Sequence, residues 1–180
     1  MTLDPHIEAQ LARVRLAAFD VDGTLTDGSI VYGDGAAGPF EVQRFNVQDG
    51  YALTRLKSAG VVLAWITGRG SPATQRRAKE LGIDVLVMHA GPKDALLAAI
   101  QRDHGIPRAE TLAMGDDLPD LLMFAEAGLA ACPANAAPQV RAVCPIVSHR
   151  DGGHGAVRDV AERILRAKGQ WPPAGVGATR

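Results

Sequence analysis

Cysteine, aromatic residues and net charge are all scarce in this chain of 180 residues. Its two cysteines, Cys132 and Cys144, cannot build a disulfide framework, and one pair twelve positions apart is a poor metal site. They read as small apolar residues in a reducing compartment. Nineteen basic residues against twenty acidic ones leave a net charge of −1, so no overall field draws the chain to nucleic acid or to an anionic membrane. Aromatics are 4% of the residues and basic side chains are scattered, which leaves no stacking platform for single-stranded nucleic acid. Apolar runs fall short of the roughly 20 residues of a membrane span, and residues 1–13 carry no signal-like apolar stretch. The expectation is a soluble, cytoplasmic protein with no nucleic-acid or membrane partner.

The composition is otherwise that of a globular domain, 47% hydrophobic and 22% charged. A chain of this length buries roughly 70% of its unfolded surface and needs neither disulfide nor structural metal. Residues 1–180 are expected to form a single domain with its core over about 14–167.

Short apolar runs alternate with helical signals. Val14–Phe19, Val61–Ile66, Val85–Met88 and Thr111–Met114 suit buried strands, with Leu129–Cys132 and Val143–Val147 as further candidates. Between them, Asp49 is expected to cap a helix over Gly50–Ser58, and Ser71-Pro72 to open one that stops near Gly82. Pro92 opens another, Pro119–Ala125 is short, and Gly155–Ala167 is the last. Residues 28–45 carry glycines at 28, 33, 35 and 38 between β-formers, the signal of a hairpin. Gly169–Arg180, rich in proline and glycine, is expected to be a flexible tail. The alternation predicts an α/β fold, a Rossmann-like parallel sheet covered by helices on both faces. Ligands of such sheets gather at the carboxyl ends of the strands.

Those ends carry the chemistry. Asp20-Val21-Asp22-Gly23-Thr24 follows the first strand, Thr67-Gly68-Arg69 the second, Lys93 opens the helix after the third, and Gly115-Asp116-Asp117 with Asp120 follows the fourth. Taken singly, each has a duller explanation in turn chemistry or helix capping. All four at successive strand ends are hard to explain that way. Asp20 and Asp116 make a hard oxygen site of the kind Mg²⁺ accepts. Thr67, Lys93 and free amides in the turn after Asp20 make a place for a phosphoryl group. Asp20, expected to be ionised at neutral pH, suits a nucleophile that needs no activating base. Asp22 lies within reach of the leaving oxygen as acid and then base, help typically worth about 10²–10⁴-fold. Lys93 at roughly 4 Å from a phosphate oxygen contributes on the order of 4 kcal/mol before its own desolvation.

Asp20–Gly28 (DVDGTLTDG), Ile66–Arg69 (ITGR), Lys93 and Gly115–Asp120 (GDDLPD) resemble the four signatures of the haloacid dehalogenase-like phosphatases. Phe45–Tyr51 (FNVQDGY) and Gly152–Arg158 (GGHGAVR) resemble a narrower group, the 3-deoxy-D-manno-octulosonate 8-phosphate (KDO 8-phosphate) phosphatases. The resemblance implies a capless haloacid dehalogenase-like fold with a projecting β-hairpin. It also implies Mg²⁺-dependent hydrolysis of a phosphorylated sugar acid in lipopolysaccharide precursor synthesis. By it, Asp20 is nucleophile and metal ligand, Asp22 is acid/base and offers its carbonyl to the metal, and Asp116 is the third ligand. Thr67, Gly68 and Lys93 hold phosphate, while Asp117 and Asp120 support the site from behind. Arg69 and His154 are candidate substrate contacts. The family's last motif usually reads Gly-Gly-Arg-Gly, and His154 stands at the arginine's place, either as a substrate contact or as a surface loop residue. Another ulosonic acid phosphate, such as KDN 9-phosphate, and a non-catalytic oligomerisation module are the alternatives.

The intervals Asp20–Thr67 and Thr67–Lys93 are already filled by predicted elements and hold no cap domain. An uncapped site lies open to water. The hairpin over 28–45 is apolar and marginal alone. It is expected to pack against its counterparts in a homotetramer and roof their sites, as tetramers of the resembling family do.

Overall fold

In the computed structural model, which describes residues 4–173, the chain runs α1 (Pro5–Arg13), β1 (Leu16–Phe19), β2 (Val31–Gly35), β3 (Gly38–Val42), α2 (Val47–Ser58), β4 (Val62–Ile66), α3 (Pro72–Leu81) and β5 (Val85–Val87). It continues α4 (Lys93–His104), β6 (Thr111–Met114), α5 (Asp120–Ala125), β7 (Leu129–Cys132), α6 (Pro138–Val143), β8 (Ile146–Val147) and α7 (Ala156–Ala167). Six strands form a parallel sheet in the order β5-β4-β1-β6-β7-β8.

The period of two along each strand divides the core. Ala17, Phe19, Leu63, Trp65, Leu112 and Met114 face one side, against apolar residues of α1, α2, α3 and α7. Leu16, Ala18, Ala64, Ile66 and Ala113 face the other, against α4, α5 and α6. Both faces are covered, so the strands read as continuous apolar runs. Each large side chain buried this way contributes roughly 1.5–3 kcal/mol. β2 and β3 pair antiparallel outside this sheet. A bridge between Thr26 and Phe45 pins the hairpin's base, and the Phe45 ring stacks on Trp65 with centroids 6.0 Å apart.

Three expectations need correction, and α1 is an addition to them. α1 lacks a clear apolar stripe in the sequence; it forms because Asp4 accepts the His6 N–H at 2.8 Å and Pro5 starts the first turn, while Leu11 inserts into the core. α2 starts at Val47, capped by Asn46, whose Oδ1 accepts the Gln48 N–H at 2.7 Å. Asp49 lies inside the first turn, buried, and accepts the Arg158 N–H at the start of α7 (2.6 Å). Residues 138–143 turn as a helix behind Pro138, so only Ile146–Val147 of the expected strand pair with β7. Finally, the start of the expected tail is anchored: Trp171 packs on the core, with the Arg158 guanidinium 4.6 Å from its ring centroid. Residues 174–180 of that tail lie outside the described residues. Cys132 and Cys144 are buried and unbridged, as their use as small apolar residues requires.

Candidate active site

The chain leaves β1 for β4 and β5 on one side, then crosses back to β6 on the other. Neighbouring connections therefore part above β1, and a crevice opens at the carboxyl ends of β4, β1 and β6. It holds a cavity of about 460 Å³ lined by Asp20, Asp22, Thr67, Gly68, Arg69, Lys93, Asp116, Asp117 and Asp120 among others. Every residue expected at the site is there except His154. That residue is exposed, in a turn whose N–H donates to the Asp151 carbonyl at 3.0 Å.

Asp20 follows directly on β1, its N–H donating to the Met114 carbonyl of β6 at 2.9 Å. The chain then turns tightly: the N–H groups of Leu25 and Thr26 both donate to the Val21 carbonyl at 3.0 Å. Gly23 adopts φ +95°, and a Cβ on it would sit 2.1 Å from Asp116 Oδ2. Glycine is required twice over, for the backbone and for the carboxylate lying across it. Thr24 donates to Asp116 Oδ1 at 3.0 Å and fixes that carboxylate.

Lys93 reaches in from the first position of α4, 5% exposed, and its Nζ lies 2.6 Å from both Asp20 Oδ1 and Asp120 Oδ1. Asp120 Oδ2 accepts the N–H groups of Asp116 (2.9 Å) and Asp117 (3.2 Å), so this side chain folds the loop that presents Asp116. Carboxylate oxygens of Asp20, Asp116 and Asp120 lie within 4.8 Å of one another. With Asp120 already bonded to Lys93 and two amides, Asp20 and Asp116 are the two with capacity for a cation.

Electrostatics follow from that crowding. Burial, and then the charge of Asp120, push the Asp20 carboxyl up to about 8, with Lys93 pulling the other way. An apolar strand end costs a carboxylate its hydration, so an ionised Asp20 depends on the positive charge set beside it, Lys93 first. Asp116 is pushed up to about 6, by burial first and Asp120 second. Burial alone lowers the Lys93 ammonium, but Asp20 and Asp120 outweigh it and hold it above the usual lysine range. The cluster calls for added positive charge. Hard oxygen donors in this number suit Mg²⁺.

Asp22 points away from the cluster. Its Oδ1 accepts Gln43 Nε2 at 2.8 Å, and its Oδ2 accepts the Thr67 hydroxyl at 3.1 Å. Thr67 Oγ1 in turn accepts the Arg69 N–H at 3.1 Å, and Arg69 Nη2 donates to Glu41 Oε2 at 2.9 Å. Glu41 and Gln43 were missed in the sequence. Their signal was there, as polar residues alternating with Phe40 and Val42 along β3 and the residue after it. An arrangement of carboxylates, one buried ammonium and a hydroxyl around an open cavity can bind a phosphoryl group and attack it.

A family model for haloacid dehalogenase-like hydrolases matches residues 49–128. A 3-deoxy-D-manno-octulosonate 8-phosphate phosphatase of Salmonella typhimurium is 32% identical over 172 residues, 96% of this chain and 90% of its own. One from Yersinia pestis is 35% identical over 161 residues, 87% and 82% of the two chains. Among solved structures, the enzyme of that name from Moraxella catarrhalis, in complex with magnesium, phosphate and KDO, is 41% identical with a TM-score of 0.86, covering 92% of this chain and 93% of that one.

Proposed function

This chain belongs to the 3-deoxy-D-manno-octulosonate 8-phosphate phosphatase family of haloacid dehalogenase-like hydrolases, and from that premise we propose that it hydrolyses KDO 8-phosphate to KDO and phosphate with Mg²⁺. The observation that carries this reading is the cluster of buried Asp20 and Lys93 with half-buried Asp116 beside an open cavity at the sheet's switch point. The complete cluster counts against an assembly module without chemistry.

In the proposed mechanism, Thr67, the Gly68 amide and the Lys93 ammonium bind the phosphate. Lys93 takes Asp20 Oδ1, leaving Oδ2 to attack phosphorus as the bond to the sugar oxygen breaks. Asp22 gives that oxygen a proton, and aspartyl-phosphate forms on Asp20. Asp22 then takes a proton from water, which attacks phosphorus and frees Asp20 with inorganic phosphate. Mg²⁺, held by the Asp20 and Asp116 carboxylates and the Asp22 main-chain carbonyl, supplies the positive charge that offsets carboxylate–phosphate repulsion. Asp117 and Asp120 support the metal loop, and Arg69 at the cavity wall is the candidate partner for the sugar carboxylate. His154 is proposed as a substrate contact only in so far as a neighbouring subunit brings a site to it.

The assembly is proposed to be a homotetramer formed through the hairpin over 28–45, each subunit being one domain over residues 1–180. Val31, Tyr32, Phe40 and Val42 lie exposed there, Tyr32 at 73%. The enzyme is proposed to act in the cytoplasm, in lipopolysaccharide precursor synthesis. Phosphate release from a panel of sugar-acid phosphates tests the reading. KDO 8-phosphate is expected to give the highest kcat/KM, only with Mg²⁺, and EDTA to stop turnover. Faster turnover of KDN 9-phosphate would overturn the sugar assignment; no hydrolysis of any phosphate ester would restore the module.

A further inference from the structure

Gln43 is not part of the cavity wall, yet it makes the shortest hydrogen bond to Asp22, at 2.8 Å through Nε2. Its other end is equally committed: Oε1 accepts the hydroxyl of Thr74, 1% exposed within α3, at 2.7 Å. A chain of hydrogen bonds thus runs Thr74–Gln43–Asp22–Thr67, tying α3, the hairpin's base, the turn after β1 and the end of β4 to a single carboxylate. β3 and the residue that follows it, Gln43, form a two-sided segment. Phe40 and Val42 face solvent, while Glu41 and Gln43, two residues apart, face the site.

The division of labour between these two polar residues concerns Arg69. Its Nε lies 3.7 Å from Asp22 Oδ1, outside hydrogen-bond reach but near enough to compete for the carboxylate. Glu41 draws the guanidinium aside through Nη2, and Gln43 occupies the Asp22 oxygen that Arg69 would otherwise take. With Gln43 gone, one oxygen of Asp22 loses its donor and the carboxylate turns toward the guanidinium, away from the leaving group.

We propose that Gln43 is a positioning residue for the proton donor Asp22, anchored by Thr74, and sets the direction in which that carboxylate meets the leaving oxygen. The inference rests on the reading of Asp22 as acid and base. A displacement of about 1 Å at a reacting group is enough for losses of about 10²-fold.

The test compares two substrates in the Mg²⁺-loaded enzyme. KDO 8-phosphate leaves as an alkoxide and needs the proton. p-Nitrophenyl phosphate leaves as a stable phenolate and does not, so its first-turnover burst reports attack by Asp20 alone. Gln43→Met is expected to lower kcat for KDO 8-phosphate about 10- to 100-fold with KM little changed, while the p-nitrophenolate burst rate stays close to the parent's. Gln43→Glu keeps the shape and the bond to Thr74 but cannot donate, and is expected to show the same split if Gln43→Met does not fold. Thr74→Val is expected to show a smaller split in the same direction. Equal losses on both substrates, a loss confined to KM, or parental turnover while Asp22→Asn shows the split would each overturn the inference. Parental turnover of KDO 8-phosphate by Asp22→Asn would overturn the acid/base reading itself, and the inference with it.

Discussion

Gly152 lies so close to Gly23 that a Cβ on it would sit 1.7 Å from the Gly23 carbonyl oxygen. Its neighbour Gly153 is packed the same way, with a Cβ there 2.3 Å from the Asp27 nitrogen, and the Gly153 N–H donates to the Thr24 carbonyl at 3.2 Å. The loop before α7 is therefore a backbone-on-backbone brace for the turn that carries Asp20 and Asp22. Its glycines are needed for close approach, independently of any contact with substrate.

Gly152→Ala is expected to push that turn away, destabilising the protein by about 1–3 kcal/mol and lowering kcat by at least about tenfold. His154→Arg, two positions on but exposed, is expected to change stability by less than about 0.5 kcal/mol. Thermal unfolding and turnover of the two variants check the contrast.

Asp20→Asn removes the proposed nucleophile and is expected to reduce turnover by at least about 10³-fold. In metal-free protein the same change is expected to raise Tm at neutral pH. The native carboxyl is pushed from 3.8 up to about 8, by burial and then Asp120, so the folded state holds a proton that the unfolded chain has released. Its favourable contribution is whole below about pH 4 and is lost as pH rises through about 8. Tm against pH should fall less steeply over that window in Asp20→Asn than in the parent; a parallel pair of curves would refute the assignment.

Mg²⁺ is expected to restore what the crowded carboxylates take away. Binding to the native state alone raises stability by about 2.7 kcal/mol at 100 times the dissociation constant. Titration of Mg²⁺ into EDTA-stripped protein, followed by Tm, should show saturation, and the rise should be lost in Asp116→Asn.

Asp49 provides a second pH dependence far from the metal cluster. Burial pushes its carboxyl up to about 6, against the opposing Arg158 and Gly155 amides, and its Oδ2 is buried without a partner. Here too the contribution is whole below about pH 4 and is lost as pH rises through about 6. Asp49→Asn keeps an acceptor for the Arg158 N–H and should flatten this part of the urea-denaturation profile, by on the order of 3 kcal/mol between pH 4 and 7. Asp49→Ala strands that amide and is expected to cost about 1–3 kcal/mol at pH 7.

Phe40→Lys with Val42→Lys places two charges on the hairpin's solvent face and leaves Glu41 and Gln43 as they are. Light scattering is expected to show the parent as a tetramer and the double variant as a smaller species. An unchanged mass would remove the hairpin from the interface.

Much of the fold is legible because the strands are buried on both faces. β1, β4 and β6 appear as unbroken apolar runs that no solvent-facing element could carry, and Ser71-Pro72 marks the start of α3 at its first residue. α1 was illegible because it buries little of its surface and owes its start to one cap. α6 was hidden because Pro138 opens a helix in a stretch whose later apolar residues also suit a strand. Asp49 misled as a cap since Asn46, three residues earlier, offers the same chemistry.

By itself the sequence determined which candidate groups stand at the ends of its apolar runs, and so on which edge of a parallel sheet they gather. Asp20, Thr67, Lys93 and Asp116 each stand where an apolar run ends, and the carboxyl ends of parallel strands share one edge. Only the tertiary structure decided what those groups feel. Burial lifts the Asp20 carboxyl, Asp120 turns inward to fold the loop that presents Asp116 and to meet Lys93, and Gln43 crosses from the hairpin to hold Asp22. Desolvation and hydrogen-bond direction depend on neighbours distant along the chain, and spacing along a sequence carries no record of them.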